Sequence, residues 1–151
     1  MRKTLLLCSL MLAACSLAFA QTADRLQWLL EQDRVSYAQA ALFVLEAADI
    51  IDPAGQASAE YAFELARENN ILPRGADANQ AVNLRGLSFM IMRTFDLRGG
   101  FFYGLTGSRH HAYRELVYLG IIQGRADPLM LVDGDALLFV VSRALQITGN
   151  L

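Results

Sequence analysis

Apolar positions along this chain recur with a helical period. Between 134 and 147, Leu137, Leu138, Val141, Ala144 and Leu145 fall on one stripe, the pattern of a helix that buries one face. The same reading predicts helices over 23–32, 37–51, 59–69, 84–95 and 109–119. No alternating run is long enough for a strand, so the expected class is all-α. Helix starts carry their own signals. Val35-Ser36, Val82-Asn83 and Val132-Asp133 each put an apolar residue before a side chain that accepts from free backbone N–H groups, a cap worth about 1 kcal/mol. Val82 with Leu87 and Val132 with Leu137 have the spacing of a hydrophobic staple, and Ser36-Tyr37-Ala38-Gln39 fits a capping box. Ser58 and Ser108 are the expected caps of the third and fifth helices. Pro53 and Gly55 are expected to end the second, and Gly120 to close the fifth.

The pattern repeats. At a shift of 50 residues, Ala62 meets Ala112, Ile71 meets Ile121, Asp77 meets Asp127, Leu87 meets Leu137, Phe89 meets Phe139 and Arg93 meets Arg143. A partial earlier copy lies at a shift of 47, where Val35-Ser36 stands to Asp49-Ile50 as Val82-Asn83 stands to Asp96-Leu97. The expectation is two full helix–loop–helix units and one partial unit. Helix pairs of this size cannot bury both sides of their stripes alone, so the units are expected to share one core in a single domain, 21–151.

The first twenty residues read differently. Met1-Arg2-Lys3 is a positive start and Thr4 to Ala14 an apolar run, too short for a span that needs roughly 20 residues. Two processing signals follow. Leu12-Ala13-Ala14-Cys15 resembles a lipobox, and Ala18-Phe19-Ala20 before Gln21 resembles an ordinary signal-peptidase site. Polar residues begin at Gln21, which favours a signal peptide over 1–20 and a periplasmic or otherwise exported protein. The alternative is a lipoprotein anchored through Cys15, the one route to a membrane.

Removing that segment takes Arg2 and Lys3 away, leaving 11 basic against 15 acidic residues. A mildly acidic domain lacks the footprint of a nucleic-acid binder. Both cysteines, Cys8 and Cys15, leave with it, so no thiolate nucleophile, disulfide or sulfur-bound metal is expected, and no cofactor is implied.

"HAYRELVYLGIIQGRADPLMLVDGDALLFVVSRAL" resembles an S-layer homology (SLH) module. It has the Gly120-Ile121-Ile122-Gln123-Gly124 turn, the Asp127-Pro128 step and the closing Arg143-Ala144-Leu145 run. "YAFELARENNILPRGADANQAVNLRGLSFMIMRTF" repeats the cadence with Ile71-Leu72-Pro73-Arg74-Gly75. The resemblance implies three modules around a pseudo-threefold axis and, in some family members, attachment to cell-wall polymer. A Thr-Arg-Ala-Glu-like motif opens the second helix of polymer-binding modules. Here those positions read Ser36-Tyr37-Ala38-Gln39, Asn83-Leu84-Arg85-Gly86 and Asp133-Gly134-Asp135-Ala136. The arginine is missing from its place in all three, and Arg85, one position late, is the weak substitute.

Two stretches invite a functional reading. Arg109-His110-His111 with Glu115 puts His111 and Glu115 on one helix face, while His110 points elsewhere and leaves no third metal ligand. A metal-dependent or hydrolytic enzyme built on His110, His111 and Glu115 is therefore the alternative, and a solvated helix start the plainer reading. In "RGGFFYGLTG", residues 98 to 107, the glycines allow turns and the phenylalanines suit a plug between the repeats. Phe101, Phe102 and Tyr103 are also the candidate surface for a partner. Arg93 and Arg143, near helix ends, suit the helix dipole and pairing with acids such as Asp96. The expected function is a non-enzymatic envelope scaffold binding an envelope protein or cell-wall polymer.

Overall fold

The computed structural model describes residues 24–149, apart from Gln56, Arg98, Arg125 and Ala126. The expected signal peptide and Cys15 lie outside the described residues. The chain is all-α. Helix α1 runs over residues 24–30. It is followed by α2 (Tyr37–Ala47), α3 (Ala59–Glu68), α4 (Leu84–Thr94), α5 (Phe101–Thr106), α6 (Arg109–Tyr118) and α7 (Gly134–Thr148). No strand occurs among the described residues; two isolated antiparallel bridges join Ser36 to Ala81 and Asn83 to Leu131.

The helices start at their caps. Ser36 accepts from Gln39 N–H while the Gln39 side chain accepts from Ser36 N–H, a complete capping box. Ser58, Asn83, Ser108 and Asp133 each accept from the N–H three residues on. Each bond satisfies a donor that the first helical turn leaves free.

The helix ends bring a correction. The second helix stops at Ala47, not at Ile51 before Pro53 and Gly55. Asp49 adopts a left-handed φ of 55°; its N–H donates to Glu46 O (3.1 Å) and that of Ile50 to Leu45 O (3.0 Å). This closure satisfies the last carbonyls and turns Ile51 into the core, where it is buried. Asn70 (φ 56°) and Gly120 (φ 71°) close α3 and α6 in the same way, delivering buried Ile71 and Ile121. Asp and Asn tolerate the left-handed region better than other non-glycine residues, so a helix can end without proline or glycine.

A second correction is α5. The glycine-flanked aromatic stretch, which lies outside every expected helix, forms a short helix of 6 residues. Gly100 starts it and Gly107, at φ 53°, ends it, with Gly107 N–H on Tyr103 O at 2.7 Å.

At the centre, the three valines before α2, α4 and α7 form a closed ring of backbone hydrogen bonds. Val35 N–H donates to Val132 O (2.8 Å), Val132 N–H to Val82 O (3.0 Å), and Val82 N–H to Val35 O (2.9 Å). All three valines are fully buried. A second tier follows, in which the first N–H of each helix donates to a neighbouring loop: Tyr37 to Gln80 O, Leu84 to Met130 O and Gly134 to Gln32 O, each 3.0 Å. The starts of α2, α4 and α7 therefore converge, while α3 packs on α2 and α6 on α4. Leu45, Leu87, Met90, Ile91, Leu116 and Leu137 fill one continuous apolar cluster between them.

Candidate functional site

The first turn of α4 is fully engaged in backbone bonding. Leu84 N–H is held by Met130 O, Arg85 N–H by Pro128 O at 2.9 Å, and Gly86 N–H by the Asn83 carboxamide at 2.9 Å. No backbone donor is left there for a ligand. What the turn offers is the Arg85 side chain, half-buried, with its Nε buried and without a hydrogen-bond partner.

Tyr37, the first residue of α2, lies across this turn. It is only 3% exposed, and its hydroxyl fills the space above Gly86, where an added Cβ would lie 2.2 Å from the phenol oxygen. Arg109, the first residue of α6, is exposed and lies near enough for its guanidinium charge to act on the Tyr37 phenol. Burial raises the Tyr37 phenol above its ordinary pKa, against the pull of the Arg109 and Arg85 guanidiniums. The phenol is neutral at physiological pH and the site carries two positive charges. Among the described residues the ion pairs are Arg25 with Glu46, at 2.7 Å, and Arg67 with Glu64. Neither involves Arg85 or Arg109. Two guanidiniums without a protein carboxylate can receive acid groups of a ligand, and they supply no nucleophile or general base.

Arg85 was legible as a candidate from its place near the start of α4. Arg109 was missed in this role because its proximity to Tyr37 joins elements far apart in sequence. The only signal lay in its position directly after the Ser108 cap, which puts its side chain on the same end of the molecule as the other helix starts.

The histidine cluster is organised locally. His111 Nδ1 lies 2.8 Å from Thr106 Oγ1 and 2.9 Å from Ser108 Oγ, and Ser108 Oγ also accepts from His111 N–H at 3.3 Å. The imidazole thus ties the end of α5 to the cap of α6. His110 stands edge-on to it with ring centroids 5.6 Å apart. The Glu115 carboxylate lies beside Gly100, 2.9 Å from where a Cβ would be. Among the described residues no three His, Cys, Asp or Glu side chains gather to hold a metal.

Of the aromatic trio, Tyr103 is half-buried against the core. Burial raises its phenol pKa and the nearby Arg93 guanidinium lowers it. The side chains of Phe101 and Phe102 lie outside the described residues. Arg93 and Arg143 stack over Phe89 (5.4 Å) and Phe139 (5.8 Å), cation–π contacts in place of the pairing expected with acids such as Asp96. A shallow cleft of about 280 Å³ between α1, α2 and α7 is lined by Leu26, Phe43, Leu138, Val141 and Leu145, with Arg25 and Glu46 at its edge. Its apolar lining has little with which to recognise a polar ligand. No described helix is long and apolar enough to cross a membrane.

The chain matches no family model, and no curated protein or solved structure is significantly similar to it.

Proposed function

We propose that this is an exported, non-enzymatic scaffold of the cell envelope, built from SLH-like helix–loop–helix units, which binds an acidic envelope polymer through Arg85 and Arg109. The valine ring supports the repeat reading: three equivalent bonds close around one centre, as expected of two full units and one partial unit around a pseudo-threefold axis. Gln32 lies three residues before Val35, whereas Gln80 and Met130 lie two before their valines, in keeping with a first unit that is shortened.

The observation that carries the binding reading is a pair of guanidiniums, Arg85 and Arg109, that act on Tyr37 and stand in neither of the ion pairs among the described residues, in a protein that is otherwise acidic. Family polymer binding uses an arginine at the position held here by Tyr37, and two arginines from neighbouring elements bring the same charge to that spot. Carboxylate or phosphate groups suit such a pair, because charge-assisted bonds to guanidinium are about twice as strong as neutral ones. Calorimetric titration with a galacturonic acid oligomer and with poly(glycerol phosphate) tests this. Binding to either probe that weakens with salt and is lost in Arg85→Gln and Arg109→Gln supports it. Absence of binding to both overturns it.

The export reading assigns 1–20 as a cleaved signal peptide, with lipidation at Cys15 as the alternative. Intact mass of the envelope form decides between a chain starting at Gln21 and an acylated chain starting at Cys15. The alternative is a metal-dependent or hydrolytic enzyme using His110, His111 and Glu115, in which Thr106 and Ser108 would orient His111 through Nδ1. A tight stoichiometric Zn²⁺ site lost in His111→Ala would favour it over the scaffold reading.

A further inference from the structure

We propose that the cleft between α1, α2 and α7 receives Phe19, carried on an upstream continuation of α1, in the chain processed at Cys15 and not in the chain that starts at Gln21. This holds whatever the arginines bind. Of the three helices that start at the valine ring, two have a full cover: α3 on α2 and α6 on α4, 10 residues each. The third, α7, is the longest at 15 residues, and α1 lies over only its first part. The end of α1 sits against the start of α7, where a Cβ on Gly134 would lie 1.9 Å from Leu29 O and 3.1 Å from Leu30 Cα. The start of α1 reaches the cleft, which Arg25 and Leu26 line together with Leu138, Val141 and Leu145 of α7. The two helices thus run in opposite directions, and the far end of the cleft lies upstream of α1. Leu26 and Leu145 are left 42% and 41% exposed there.

The chain outside the described residues ends at Ala23, directly before α1, and so leaves from the mouth of this cleft. Ser16 to Ala23 contain neither glycine nor proline, so nothing in them stops a helix. With Leu29 beside Gly134, Leu26 comes about level with Leu138 on helices that each rise about 1.5 Å per residue. From Leu138 to Leu145 is seven residues, and seven residues upstream of Leu26 is Phe19. A continued α1 therefore brings Phe19 level with Leu145. Seven residues are also close to two full turns, which puts Phe19 on the same stripe as Leu26. The charges at the edge of the cleft, Arg25 and Glu46, already pair with each other at 2.7 Å, so an apolar side chain is the occupant that suits it. Cleavage before Gln21 removes Phe19. Processing at Cys15 keeps it and gives the apolar Leu17-Ala18-Phe19-Ala20 run a surface to cover.

The test compares two chains, residues 21–151 and residues 15–151, the second carrying Cys15→Ser so that no lipid is added. In the longer chain, nuclear Overhauser contacts between the Phe19 ring and the Leu145 methyls are expected. The Leu138, Val141 and Leu145 methyl signals are expected to shift from their places in the shorter chain. Phe19→Ser in the longer chain should return those signals to the shorter-chain positions. Leu17→Ser, on the opposite side of the continued helix, should leave them shifted. Because the shorter chain lacks Phe19 altogether, loss of the shift in Phe19→Ser is not loss of the fold. Methyl signals that coincide in the two chains, or that respond equally to Leu17→Ser and Phe19→Ser, overturn the proposal. A longer chain that sediments as a dimer and is dissociated by Leu145→Ser gives the cleft to a second copy, and overturns it as well.

Discussion

Asn83 and Asp133 open α4 and α7 with the same bond, a side-chain oxygen on the N–H three residues later. A ring valine precedes each, and a fully buried leucine follows, Leu87 in one and Leu137 in the other. Both first turns also contain a glycine under close approach. The two helix starts nevertheless differ in what they present. In α4 the glycine is Gly86, and the tip of a side chain, the Tyr37 hydroxyl, occupies its space beside Arg85. In α7 it is Gly134, and the backbone occupies its space: an added Cβ would lie 1.9 Å from Leu29 O. The acidic Asp135 stands where α4 has Arg85. Backbone geometry and buried residues are common to the two starts, and charge is not. Bonds that hold the centre together constrain the first kind of feature at both places. The backbone and cap bonds do not use the Arg85 or Asp135 side chains, so the charge at the two starts can differ while the bonds stay the same.

The largest effect expected is at the shared feature. Leu87→Ala and Leu137→Ala each remove a fully buried side chain and are expected to cost about 2–5 kcal/mol. Because one apolar cluster joins both regions, urea melts followed by circular dichroism and by Trp28 fluorescence should coincide in each variant. A Leu137→Ala protein that lost its C-terminal helices while Trp28 kept its midpoint would show two independent units.

The glycines should separate the two starts. Gly134→Ala drives a Cβ into a carbonyl that cannot move without its helix, and is expected to cost about 1–3 kcal/mol. Gly86→Ala strikes only a phenol oxygen and is expected to cost less. Adding Tyr37→Phe should recover part of that smaller loss, since the nearest remaining ring atom is then 3.0 Å away. Equal costs at the two glycines, or no recovery, would remove the distinction between backbone and side-chain neighbours.

The smallest effect is alkaline. Burial raises the pKa values of Tyr37 and Tyr103 in the folded protein, with the nearby arginines opposing it. A raised folded pKa means that the neutral phenol is favoured in the fold. Its contribution is complete below the unfolded value of about 10 and is lost as pH rises through the folded value. Tyr37→Phe and Tyr103→Phe should therefore flatten the decline in urea stability above about pH 10. A decline of unchanged steepness in both variants would rule these phenols out as its cause.

Much of the helical layout was legible in the sequence because its determinants are local. A cap acts on an N–H three residues away, and an apolar stripe is read within a few turns, so Ser36, Ser58, Asn83, Ser108 and Asp133 announced five helix starts. Two features resisted for equally physical reasons. The end of α2 depends on Asp49 adopting a left-handed φ, which an aspartate permits without requiring. Helix α5, only six residues long, is held by its neighbours and not by its own pattern, since so short a helix is unstable alone.

The candidate site was less legible. Arg85 could be singled out by its place beside a cap, while Arg109 and Tyr37 looked like the first residues of unrelated helices. What the sequence determined by itself was the identity, order and starting points of the main helices, since those rest on interactions along the chain. The tertiary structure alone decided that Val35, Val82 and Val132 close a ring, and that Arg85, Tyr37 and Arg109 meet at one end of it. Nearly every residue carries the same backbone N–H and carbonyl, so no side-chain pattern announces which of them will pair across the fold; only the packing of the helices brings them within reach.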